Sequence, residues 1–130
     1  MLTQYLQQKI DEIQSLIGSY SATAPTANKH RQMIAQKIQE LRDLELGILV
    51  AELSHNAATS GMVAGVKSRH ATILGALATF MTTGSGTNAT AVGTALGTHE
   101  TAMAGTVYPA VIANMPDANV HDVFLTNLNA

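Results

Sequence analysis

Five histidines and a handful of carboxylates are the residues of this chain that are able to do acid–base or metal chemistry. Glu52 and His55 stand in a Glu-x-x-His spacing, which puts a carboxylate and an imidazole on one face of a helix, as in di-iron four-helix bundles. Such centres need a second Glu-x-x-His and two more carboxylates, and the chain has no second one. His99 and Glu100 open the segment HETAM, which has the first half of a zinc-protease helix but Met103 where the second histidine ligand belongs. His30, His70 beside Arg69, and His121 beside Asp122 are isolated in sequence. His99 falls on an apolar stripe, so it is expected as a hydrogen-bonded interior or interface histidine. There is no nucleophile elbow, P-loop or dinucleotide fingerprint, and no cysteine to supply a thiolate. The expectation is a non-enzymatic protein with no catalytic residue, no metal and no cofactor.

The elements that would carry these residues read as helices. Leu2, Tyr5, Leu6, Ile10, Ile13, Leu16 and Ile17 recur at threes and fours between polar residues and predict an amphipathic helix ending near Gly18. After a Ser/Thr/Pro loop, Ile34, Ile38, Leu41, Leu44, Ile48 and Leu53 mark a second helix over about residues 28–57, folded back on the first as a hairpin.

From Ser60 onward, threonine and valine argue for strands, and periodicity argues against them. Thr79, Thr83, Thr87, Thr90, Thr94, Thr98 and Thr101 follow one another at intervals of three or four, which no alternating strand produces. At about 100° per residue, Met81, Asn88, Val92, Leu96, Met103 and Val107 share one side, the threonines lie opposite, and Gly86, Gly93, Gly97 and Ala104 align between them. Aligned small residues admit a second helix backbone at close range, and Gly61-xxx-Gly65 has the same form. The Gly84-Ser85-Gly86 run is a kink or a turn. Pro109 is expected to interrupt or end the segment, and Asp117 to cap a short last helix carrying Val120, Phe124 and Leu128. The fold class is therefore all-α. We expect one domain, an elongated bundle with a charged helical hairpin over residues 1–58, a neutral Ala/Gly/Thr-rich helical segment over 59–115 and a C-terminal helix over 116–130.

Composition sets the functional classes. The chain has 130 residues with a hydrophobic fraction of 46%, but 20 of those residues are Ala, so the core is lean. Charged residues make up only 12%, against about 25% in an average soluble domain. All seven Lys and Arg fall within residues 1–70, and residues 71–130 hold three acids and no base. The basic residues are too scattered for a phosphate-binding surface, so direct nucleic-acid binding is not expected. The start of the chain lacks the pattern of a secretory leader, which predicts a cytoplasmic protein at synthesis. The most apolar stretch, ATILGALATFM, has 11 residues, short of the roughly 20 of a membrane span.

An exposed helix face is ordinarily filled with Glu, Lys, Gln and Arg. A face of seven threonines without a base suits protein contact instead. The expected interface residues are Thr83, Thr87, Thr90, Thr94, Thr98 and Thr101, with Gly86, Gly93, Gly97 and Ala104 at close helix contacts. The function expected is a structural subunit of a homo-oligomer or larger assembly, its partners being copies of itself and other assembly proteins. A virion, as a phage capsid, tail or ejection-channel component, is the particular assembly expected. A membrane-active helical protein and a small helical metal or ligand-binding protein are the alternatives.

Overall fold

A computed structural model describes residues 2–114, and these form an all-helical bundle of four helices. Helix α1 is Leu2–Gly18. Helix α2 runs without interruption through Ala27–Leu44, a π turn at Glu45–Leu49 and Val50–Ser54. A short 3-10 turn, Ser60–Met62, leads into α3, Val63–Thr82. Helix α4 is Gly86–Ala102, a second π turn at Met103–Val107 and Tyr108–Asn114. Each helix packs on the next, and α4 closes the ring against α1. The short connections make this an up-down-up-down bundle. At 1.5 Å per residue α2 and α4 are each about 42 Å long, which makes the bundle elongated.

One buried row per helix builds the core. Leu2, Leu6, Ile10, Ile13 and Ile17 come from α1, and Val66, Ile73, Leu77 and Phe80 from α3. In α2 the row is Ile34, Ile38, Leu41, Leu49 and Leu53, so Leu44 and Ile48, expected in the stripe, are only half-buried. The π turn is the reason. In a regular helix Leu53 would lie about 120° round from Leu41, and one wide turn takes up that difference. The Val50 amide bonds back five residues to the Glu45 carbonyl, which marks the insertion.

The same device in α4 keeps Met103, Val107 and Val111 in one buried row, with the Tyr108 amide bonded to the Met103 carbonyl. It also corrects the expectation for Pro109, which lies inside the helical run Tyr108–Asn114 and does not end it. A proline lacks the amide and crowds the carbonyl four residues back; the preceding wide turn displaces that carbonyl from the regular register.

The Gly84 region is a turn. Thr83 is extended, and the Ser85 side chain caps α4 by accepting from the Asn88 amide. Thr79 therefore belongs to α3, Thr83 to the turn, and Met81, expected on the apolar side, is exposed. The turn is held by the Tyr20 hydroxyl, which donates to the Gly84 carbonyl at 2.6 Å, while the Tyr20 ring meets Phe80 edge-on at 4.8 Å. A Cβ on residue 84 would collide with the Tyr20 hydroxyl and the Arg31 guanidinium, hence the glycine. No described helix is long and apolar enough to cross a membrane. The predicted C-terminal helix, with Asp117, Val120, Phe124 and Leu128, lies outside the described residues.

Candidate functional site

Three of the four buried rows are broken by one ionisable residue, and the three meet. Glu45 interrupts the row of α2 between Leu41 and Leu49, His70 that of α3 between Val66 and Ile73, and His99 that of α4 between Leu96 and Met103. All three are at most 2% exposed. His70 Nε2 lies 2.8 Å and His99 Nε2 2.7 Å from the same oxygen, Glu45 Oε1. The two imidazole rings meet edge-to-face at 4.7 Å. Both π turns border this cluster: Glu45 opens the first, and the second follows His99 by one helical turn. Wide turns of this kind recur at functional sites, because they re-aim side chains that a regular helix would point elsewhere.

Arg69, half-buried on α3, completes the network. Its Nε donates to His99 Nδ1 at 2.9 Å, and a terminal nitrogen approaches Met103 Sδ at 3.6 Å. Gly65, one turn earlier, makes room for this guanidinium, since a Cβ there would sit 2.8 Å from it. Gly61 has nothing within 4 Å and Gly65 meets only this guanidinium, so neither lies at the close helix contact that the Gly61-xxx-Gly65 spacing suggests.

The donors and acceptors fix the protons. A guanidinium only donates, so His99 Nδ1 accepts and the ring proton sits on Nε2, aimed at Glu45. His70 likewise donates from Nε2 to the carboxylate. Burial by itself would push the Glu45 carboxyl up; the two imidazole N–H bonds, with the electrostatic pull of the ring N–H dipoles, outweigh it and hold the carboxyl below its ordinary 4.5. Burial lowers the Arg69 guanidinium from its ordinary value, and Glu45 partly restores it. Among the described residues, two atoms of the cluster are left without partners, Glu45 Oε2 and His70 Nδ1, as is the nearby Tyr108 hydroxyl, which burial, reinforced by Glu45, pushes well above the ordinary range. Each unpaired buried polar atom costs about 1–3 kcal/mol.

Sequence reading placed His70 and Arg69 as isolated and did not single out Glu45; the structure corrects both. The signal was present as an ionisable residue falling in the apolar row of three successive helices. His99 is interior and hydrogen-bonded. His55, the candidate of the Glu-x-x-His pair, is exposed at the end of α2. His30 bonds the Leu16 carbonyl through Nε2 at 2.7 Å.

The expected interface residues divide. Gly93 and Gly97 turn toward α1: a Cβ on Gly93 would meet Ile17 at 3.4 Å, one on Gly97 would meet Gln14 at 3.7 Å, and Gln14 Nε2 donates to the Gly93 carbonyl at 3.0 Å. Gly86 has open space before it, and Ala104 is exposed. Thr83, Thr87, Thr90, Thr94, Thr98 and Thr101 are all exposed.

The class defined by this geometry is a four-helix bundle with a buried carboxylate–diimidazole cluster at its core. Comparison with protein-family models, with curated proteins and with solved structures finds no match.

Proposed function

We propose that the chain is a non-enzymatic helical subunit of a larger assembly, working through the outer face of α3 and α4. The observation that carries this reading is the chemistry of that face. From Ala71 to His99 there is no Asp, Glu, Lys or Arg, and the exposed residues of α3 and α4 along it are almost all Thr, Ala and Gly. The threonines are less polar than their type implies. Thr72, Thr79, Thr82, Thr90, Thr98 and Thr101 each donate the hydroxyl proton to the carbonyl four residues back. A hydroxyl so engaged has no proton left for solvent. A smooth, uncharged, methyl-bearing face is a poor means of staying soluble alone and a good surface for another helix.

The particular assembly we put forward is a virion, with the chain as a phage capsid, tail or ejection-channel component; this narrower reading rests on composition, and direct imaging of the native particle tests it. The contact reading is tested by light scattering on the purified chain and its variants. Thr94→Lys is expected to impair association, by placing a charge where a neighbour must approach, while Thr94→Ser is expected to be mild. A wild-type chain that remains monomeric at all concentrations, or a Lys variant that associates equally and dissolves better, would falsify the proposal.

A further inference from the structure

We propose that Glu45, His70 and His99 form a binding site for one divalent transition-metal cation, a use of the bundle core separate from the assembly face. Two imidazoles and one carboxylate are the donor set that holds Zn²⁺ or Fe²⁺ while leaving coordination positions open. Here one ligand atom from each residue lies within 4.8 Å of the other two, and it is the one group of this kind among the described residues. At bonds of about 2.1 Å, neighbouring ligand atoms of a tetrahedral metal are about 3.4 Å apart. Nε2 and Oε1 stand closer than that, at 2.7 and 2.8 Å, so a cation is admitted when the carboxylate and the two rings, which arrive from three different helices, draw apart to let it replace the imidazole protons. The unpartnered Glu45 Oε2 is the second observation: a nine-tenths-buried carboxylate carries an acceptor that no group among the described residues satisfies.

Arg69 sets the terms of entry. To bind through Nε2, a neutral imidazole must move its proton to Nδ1. His70 is open to this, since no described residue occupies its Nδ1. His99 is not, because its Nδ1 faces the Arg69 N–H, and a proton there would confront a donor. The guanidinium also opposes a second cation by charge. It reaches the cluster from a half-buried position on α3, with solvent on its outer side. Arg69 therefore competes with the metal, closing the network with hydrogen bonds when the ion is absent and withdrawing when it arrives.

The test uses the full chain, stripped with chelator and titrated with Zn²⁺, and with Co²⁺ as a spectroscopic probe of nitrogen and oxygen ligands. One equivalent per chain is expected, lost in Glu45→Gln and in the double variant His70→Gln/His99→Gln at unchanged helix content. Arg69→Met is expected to bind at least about tenfold more tightly than wild type, in line with the effect of groups next to metal ligands. If the histidine variant does not fold, the Arg69→Met arm decides, and unchanged or weaker binding there overturns the proposal. So does a folded chain that takes up no stoichiometric Zn²⁺ in either the wild-type or the Arg69→Met form, or uptake that survives the loss of both histidines.

Discussion

The α1–α2 hairpin and the α3–α4 hairpin solve the problem of an outer surface in opposite ways. The first is laced with charge: Lys37 reaches Glu12 at 3.1 Å and Glu40 at 3.7 Å, and Lys9 reaches Glu40 at 3.8 Å, tying α1 to α2 across solvent. The second carries threonine, alanine and glycine, its hydroxyls turned back on the helix. Inside the bundle the chemistry is reversed. The second hairpin supplies two histidines to the core, and the first supplies the carboxylate that binds them together. Charge is thus spent on the surface where nothing else is needed, and on one buried point where three helices must agree. Exposed ion pairs contribute little to stability, while a buried group without its partner costs a great deal.

Removing the fully buried charge that joins the two hairpins should have the largest effect. Glu45→Ala strands two buried imidazole N–H groups and is expected to cost about 3–5 kcal/mol in urea unfolding. A loss under 1 kcal/mol would mean the cluster does not hold the hairpins together. The acid limb of stability reads the same residue. Because the Glu45 carboxyl is held below its ordinary value in the fold, its contribution is full above pH 4.5 and is lost as the pH falls through the folded value. Wild type is therefore expected to lose stability on acidification below that point more steeply than Glu45→Gln, and parallel curves would remove the carboxylate from the account.

Gly93→Leu, which overpacks the seam where α4 meets Ile17 and Gln14 of α1, is expected to cost about 1–3 kcal/mol. The contrasting variant is Gly75→Ala on the outer face of α3, where a Cβ meets nothing within 4 Å. It is expected to stabilise by up to about 1 kcal/mol through helix propensity alone, and a lower melting temperature would show that something approaches that face closely. The smallest effect belongs to the charged surface: Lys37→Ala, which removes two ion pairs, is expected to change stability by less than about 1 kcal/mol and to do so only at low salt.

What was legible in the residues is what depends on neighbours three and four apart. The periodicity of Leu, Ile and Val determined that every described element is helical, and α1 begins and ends where its stripe does. The spacing of Gly93 and Gly97 marked a face fit for close approach, and the threonine spacing marked the side turned away from the core. These are local properties, since side-chain direction along a helix follows from the turn angle.

The rest depended on register between helices, which no local pattern carries. The two π turns shift which residues point inward by one position, so Glu45 and Leu49 take the place of Leu44 and Ile48, and Pro109 continues a helix it was expected to end. Residues 45, 70 and 99 share no motif spacing. Only the antiparallel stacking of α2, α3 and α4 brings them to one level, and burial there turns three isolated ionisable residues into a single hydrogen-bonded group. The low dielectric of the core makes their arrangement costly to disturb, which is a property of the packed bundle and not of any segment of the chain.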